Sequence, residues 1–388
     1  MSDTCMYTNN INGNDVYIAI YVDDIIIACV DEATIIGIKQ QISEKYTTKD
    51  MGIMDWYLGM RYTRDPKTGI ITLDQSKYTE DILVKFQKLY RKRPYSNTPM
   101  EENLKLPKWT EEYEKTLSVK SKHKVATYPY KQVIGSLLYL AIWTRPDITY
   151  AVHLVARHCV HPTLEAVHAC NRILEYLSLT KHLGLKFFPG NKRLTCFVDS
   201  SFADVIDQRK STGGIIQYLG YSPIYWETFI ANTTIPLSTA EAEYVAAHVA
   251  GKEIMASNNL LTEMKCPQHN VQLYEDNEAC IKIALQEACK HKTKHIENKV
   301  HYIRELIQKK HVDIIYINTQ LQLADAFTKP LGRESFLRHR DVLFGQPPSA
   351  ELAKYLESVQ QFYHHKRTFD EIDNQLHCHS DWTDGRFK

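Results

Sequence analysis

The chain has 388 residues, room for two or three domains of ordinary size, and with 44% hydrophobic and 24% charged residues it can bury real cores, which excludes a disordered chain. A net charge of +1 supplies no global electrostatic reason to bind nucleic acid. No apolar run approaches the roughly 18 residues a membrane helix needs, so no membrane partner is expected. The polar opening from Met1 to Asn14 has no apolar stretch of a secretory signal.

In chain order, Val16–Tyr21 and Ile25–Val30 predict a hairpin with the acidic pair Asp23 and Asp24 at its turn. Ile35, Ile38 and Ile42 space a helix over Glu32–Tyr46. Trp56–Thr63 and Gly69–Leu73 read as strands, and Gln75–Leu89 as an amphipathic helix. Arg93–Tyr128 is rich in Lys and Glu, holds prolines at 94, 99 and 107, and is expected to be a linker or a surface excursion. Apolar periodicity returns in Ile134–Tyr139, Ile148–Ala156 and Thr163–Leu177, a small helical module with a break at Pro162. Three strand-like runs follow at Thr195–Phe202, Gly213–Leu219 and Ile224–Phe229. Then come a helix over Ser238–Ile254 opened by a capping-box pattern of Ser238 and Glu241, a strand at Val271–Glu275, helices at Asp276–Gln286 and His295–Lys310, and a strand at Val312–Ile317. Beyond Arg333 the periodicity weakens, apart from a possible helix at Glu351–Phe362.

Nine cysteines without a CxxC pair suggest neither a zinc site nor a disulfide framework. The histidines of the tail (His364, His365, His377, His379) fit no standard zinc spacing. Two local basic clusters, Lys85–Arg93 and Lys290–His295, have the composition that neutralises phosphates, although a solvated face is the commoner meaning of such a run.

The carboxylates carry more information. Asp199 and Asp276 each follow an apolar strand, Glu243 lies inside a helix, and Asp325 opens a helix after a strand. Carboxylates so placed can converge on one sheet edge, where they repel each other unless cations sit between them. Two Mg²⁺ ions about 4 Å apart resolve that repulsion and serve phosphodiester hydrolysis. For any one of these residues a strand-end or capping role is the ordinary explanation; the order of all four weakens it.

The words around them resemble a family. Phe197-Val198-Asp199-Ser200-Ser201-Phe202-Ala203-Asp204 and Asp207-Gln208-Arg209-Lys210-Ser211-Thr212-Gly213-Gly214 resemble the start of the ribonuclease H (RNase H) domain in copia-type retrotransposon Pol polyproteins. Leu237-Ser238-Thr239-Ala240-Glu241-Ala242-Glu243-Tyr244 looks like its catalytic helix, Tyr274-Glu275-Asp276-Asn277 and Lys294-His295-Ile296-Glu297 continue it, and Gln322 to Leu331 (QLADAFTKPL) closes it. The resemblance implies Asp199, Glu243, Asp276 and Asp325 as catalytic residues and as ligands of two Mg²⁺ ions. Glu241 competes with Glu243, which better matches the Glu-Leu run of other RNases H. Ser201 stands where members often carry a second Asp, outside the four expected ligands. His295 or His301 is a weaker candidate for assisting the leaving group or product release.

Upstream, Ile20-Tyr21-Val22-Asp23-Asp24-Ile25 resembles the paired-aspartate hairpin of a reverse transcriptase palm. Trp56-Tyr57-Leu58-Gly59-Met60 resembles the primer-contacting turn, and Leu73 to Tyr78, Asn97 to Met100, Ile134 to Leu140 and Thr144 to Ile148 follow in the family's order. Only 22 residues precede Asp23, too few for fingers and the strand bearing a third aspartate, so Asp23 and Asp24 are expected to be metal ligands of a polymerase remnant. The fold class implied is α/β (α+β): a truncated palm, a helical connection, then an RNase H-like mixed five-stranded sheet with flanking helices. The expected domains are 1–92 (partial palm and thumb), 93–128 (linker), 129–191 (connection), 192–333 (RNase H-like) and 334–388 (tail). The function implied is Mg²⁺-dependent endonucleolytic cleavage of RNA in RNA–DNA hybrids, beside an incomplete RNA-directed DNA polymerase module. The alternative is a catalytically inactive remnant acting at most as a nucleic-acid-binding or assembly module. The partners implied are an RNA–DNA hybrid and either an upstream polymerase half or a second copy, and the location is cytoplasmic or nuclear.

Overall fold

The computed structural model describes residues 3–90, 97–205, 210–231, 238–285, 297–346 and 348–358. Met1–Gly345 form one compact unit and Gln346–Lys388 a second, in which residues 350–358 are helical. No helix among the described residues is long and apolar enough to cross a membrane.

The first unit opens with three antiparallel strands, β1 (Met6–Ile11), β2 (Asn14–Tyr21) and β3 (Asp24–Ala28), followed by helix α1 (Glu32–Lys45). Asp31 starts α1 by accepting the Thr34 N–H at 2.9 Å. The β2–β3 turn holds Val22 at a φ of 54°, rare for a β-branched residue, and leaves Asp23 and Asp24 exposed. Next come β4 (Trp56–Tyr57), β5 (Met60–Arg64), β6 (Ile71–Asp74) and helix α2 (Ser76–Lys85).

The stretch expected to be a linker carries two short helices, α3 (Glu111–Thr116) and α4 (Val119–Thr127). It is also anchored: Met100 is buried, Leu104 and Leu106 pack on the helical core, and the Tyr113 hydroxyl donates to Glu165 at 2.5 Å. Scattered single apolar residues do that anchoring, so no period announces it in the sequence.

Helices α5 (Tyr130–Trp143), α6 (Thr149–Ala156) and α7 (Leu164–Thr180) form the helical core with α2. Strand β7 (Leu185–Phe187) then pairs with β6, closing a four-stranded sheet of order β4-β5-β6-β7.

The last large element is a mixed five-stranded sheet. Antiparallel β8 (Leu194–Val205), β9 (Lys210–Leu219) and β10 (Ser222–Ile230) lead into helix α8 (Thr239–Glu263). Strand β11 (Val271–Glu275), helices α9 (Glu278–Leu285) and α10 (Glu297–Gln308) and strand β12 (Val312–Tyr316) complete it in the order β10-β9-β8-β11-β12. β8, β11 and β12 run parallel. This is the mixed sheet with flanking helices that the sequence led us to expect. α8 packs closely because its buried face is built of Ala242, Ala246, Ala247, Ala250 and Gly251; a Cβ at Gly251 would lie 3.0 Å from Leu306. Helix α11 (Arg333–Leu343) falls in the stretch read as tail, yet Phe336, His339 and Leu343 are buried in the first unit. Its apolar positions are few and its charged face is wide, which hides the amphipathic signal.

Candidate metal centre

Asp199 lies in β8 with only 3% of its surface exposed. Its cross-strand partner in β9 is Gly214. A Cβ at that glycine would fall 2.6 Å from the Phe327 Cβ and 3.0 Å from the Ala324 carbonyl oxygen. The absent side chain therefore lets the 3₁₀ turn Leu323–Phe327, which bears Asp325, sit directly against the strand pair. Gln322, fully buried, holds the same turn. Its Nε2 donates to the carbonyls of Val198 at 2.9 Å and Tyr274 at 3.4 Å, while its Oε1 accepts the Ala324 N–H at 3.2 Å. One amide thus ties β8, β11 and the Asp325 turn together.

The parallel register Leu273–Cys196 and Tyr274–Phe197 carries Asp276, two residues past Tyr274, to the level of Asp199, two past Phe197. Asn277 begins α9 by accepting the Cys280 N–H at 3.0 Å. In α8 the Ser238 hydroxyl accepts the Glu241 N–H at 3.3 Å, the expected cap. Glu243 follows on the buried face at 3% exposure.

These placements gather the acidic residues. Asp199, Asp276 and Asp325 each offer an oxygen within 4.8 Å of the others, and Glu243, Glu275 and Asp276 do the same. Asp276 belongs to both triples, so all four residues named from the sequence come together and Glu275 joins them. Glu241 is half-buried and belongs to neither triple. Asp23 and Asp24 form no such group among the described residues. His295 lies outside the described residues, and His301 falls within α10.

Burial dominates the electrostatics. It pushes the Asp325 carboxyl up to about 8, with Asp199 adding to the rise. Burial also raises Asp199, against the opposing pull of Lys329 and Thr328. Glu243 and Glu275 are held well above the usual carboxylate range by burial and by the neighbouring carboxylates. Lys329 pairs with Asp325 at 2.8 Å and lies 3.8 Å from Asp199. Burial works against its charge, but the two aspartates outweigh that and raise its pKa. The Thr328 hydroxyl donates to Asp199.

The buried Glu243 Oε2 and Glu275 Oε2 have no hydrogen-bond donor among the described residues. Buried carboxylate oxygens without donors are costly, and an all-oxygen donor set is what a hard divalent cation takes. The residues present fit such an ion.

Several contributors to the centre carry no motif signal of their own. Gly214, Gln322, Thr328 and Lys329 stand inside the quoted words, but their roles depend on packing. Glu275 had a signal. Strand alternation puts it on the same face as Val271 and Leu273, both core residues, where a glutamate is out of place unless it serves a site.

Comparison with known proteins places the chain further. Residues 2–102 match the family model "Reverse transcriptase (RNA-dependent DNA polymerase)". The chain is 32% identical over 336 residues to the retrovirus-related Pol polyprotein from transposon TNT 1-94 of Nicotiana tabacum, covering 86% of this chain and 25% of that protein. It therefore spans about a quarter of the length of that curated relative. It is 31% identical over 247 residues to the uncharacterized mitochondrial protein AtMg00810 of Arabidopsis thaliana, covering 62% of this chain and 94% of that one. Among solved structures it is similar to RNase H1 from Halobacterium salinarum NRC-1, with a TM-score of 0.26 and 15% identity over 35% of this chain and 94% of that chain.

Proposed function

Because the chain belongs to the copia-type retrotransposon Pol polyproteins, we propose that residues 192–333 cleave the RNA strand of RNA–DNA hybrids endonucleolytically, with Mg²⁺ held by Asp199, Glu243, Asp276 and Asp325. The observation that carries this reading is the pair of carboxylate triples that share Asp276.

Magnesium, when bound, supplies Lewis acidity that activates the attacking water and offsets charge on the departing oxygen. The chain's own residues do the rest. Gln322 and the gap at Gly214 hold Asp325 against Asp199. Thr328 orients Asp199 through its hydroxyl. Lys329 tempers the repulsion between Asp199 and Asp325, and 41% of its side chain remains exposed where a phosphodiester can approach. The hybrid is recognised by backbone shape and the 2′-hydroxyl rather than by base sequence. At the other end of the chain, Asp23 and Asp24 lie exposed at the β2–β3 turn, within the residues that match the reverse transcriptase family model, which supports reading them as part of a polymerase module.

The test is incubation of the full chain with a labelled RNA–DNA hybrid and Mg²⁺, beside Asp276→Asn. RNA cleavage by the parent, lost in the variant and in chelator, is the expected result. A folded parent that binds the hybrid but leaves the RNA intact would establish the alternative, an inactive binding remnant.

A further inference from the structure

We propose that Glu275 is a fifth carboxylate ligand of the centre and that, with Glu243 and Asp276, it holds one of the two divalent cations expected there. This rests on the reading of the centre as a cation site, and adds to it a residue and a division of labour.

The two triples are built differently. On the Asp199–Asp325 side the chain provides its own compensation: the Lys329 ammonium at 2.8 Å from Asp325 and the Thr328 hydroxyl on Asp199. On the Glu243–Glu275 side it provides almost none. Glu275 is fully buried; its Oε1 accepts the Asn277 N–H at 3.0 Å, and the Asp276 N–H and the Cys280 thiol are the other polar groups beside its carboxyl. Its Oε2 and the Glu243 Oε2 are buried and without a donor, and neither residue forms an ion pair among the described residues. Both nevertheless bring an oxygen within 4.8 Å of each other and of Asp276.

Two buried carboxylates converging with empty lone pairs and no cationic side chain are unfavourable by themselves. A divalent cation between them removes the conflict, because it takes several oxygens at once and carries the charge the side chains lack. The charge balance agrees: cation binding requires the carboxylates to be ionised, and five of them against one ammonium then leave four negative charges, which two divalent cations cancel. Asp276, half-buried, is common to both triples. Glu275 also sits on the strand rather than on a loop, so its position is set by the β8–β11 register and tolerates little adjustment.

The experiment is calorimetric titration of the full chain with Mn²⁺, a hard divalent ion of similar ligand preference, on the parent, Glu275→Gln and Glu275→Asp. Melting temperatures with and without the ion give a second readout. The parent should take up two ions. In Glu275→Gln one of them should weaken by about tenfold or more, the scale on which single-residue changes around metal sites act, while the other is retained. Mn²⁺ should raise the melting temperature of the Gln variant less than that of the parent. Glu275→Asp keeps the charge and moves it back by one methylene, so it should fall between the two. If both variants bind two ions with the parent's affinities, Glu275 is no ligand and the inference fails while the four-residue centre stands. If the parent takes up no ion, the centre itself is misread and both fall.

Discussion

Gly214 illustrates how one residue can set a site it does not belong to. It faces Asp199 across the strand pair, and the space it leaves is filled by the turn that delivers Asp325. Gly214→Ala should therefore cost about 1–3 kcal/mol, the usual range for forcing a methyl into a packed interior, and should also weaken cation binding by displacing Asp325. Gly213→Ala is the control. Its Cβ would meet the far end of the Phe229 ring, at 2.3 Å from Cζ, and a side chain can rotate away where the Ala324 carbonyl cannot. Urea denaturation and Mn²⁺ titration of the two variants decide the matter; equal cation affinity in both would mean the close approach at Gly214 does not position Asp325. At this scale Asp199, Asp276 and Asp325 were singled out by the resemblance of the words around them, since an aspartate at a strand end or cap is ordinary by itself. The choice of Glu243 over Glu241 rested on a motif, and the structure separates the two by face: Glu243 is buried among carboxylates, whereas Glu241 stays near the cap.

Among the elements, α8 is the one whose start matters most. Ser238 accepts the Glu241 N–H, and Glu243 lies within the next turn. Ser238→Ala should lower stability by about 1 kcal/mol, as removal of a serine cap generally does, and fraying of that turn should loosen Glu243. Chemical denaturation measures the first effect. A loss of only a few tenths would show that packing of the alanine face, rather than the cap, holds the helix start. The beginning of α8 was readable from the Ser-x-x-Glu pattern, but its end was not. We expected Ile254, and the helix runs to Glu263. The last two turns are polar in sequence, but Leu261 is buried there, and Asn258 accepts the Gln268 N–H at 2.8 Å and donates to the Gln268 carbonyl at 3.0 Å. Hydrogen bonds to the loop that follows the helix leave no period to find.

Across the whole first unit, one buried ion pair joins several elements. Arg145, 1% exposed, forms a two-pronged bond to Asp147, at 2.9 Å from Nε and 2.8 Å from Nη2. Its Nη1 donates to the Thr180 carbonyl at 3.1 Å, Tyr176 donates to Asp147 at 2.6 Å, and the guanidinium lies over the Tyr176 and Phe344 rings. The group ties the α5–α6 corner to α7 and to the end of α11. Arg145→Met strands Asp147 in the interior and should destabilise the protein by about 3–5 kcal/mol. Replacing both partners with apolar residues should recover part of that loss. A double-mutant cycle by denaturant unfolding tests the pair, and additive losses would show that the bond is not what couples these elements. Trp226 of β10 adds a second tie, donating to the Ala141 carbonyl of α5 at 2.7 Å and so joining the five-stranded sheet to the helical core.

By itself, the amino-acid sequence determined the α/β class and the strands and helices of the last third in order, and the resemblance of its motifs named four acidic residues that the fold brings together. The elements depend on local quantities: the period of apolar residues and the chemistry of a cap. Only the tertiary structure decided that Asp276 is shared between two groups, that Glu275 comes close to Glu243, and that Lys329 and Thr328 make their contacts with Asp199 and Asp325. Those facts depend on the register between β8 and β11 and on how closely the Asp325 turn can approach Gly214. Both are distances between segments more than a hundred residues apart in the case of the turn, and no local pattern encodes them.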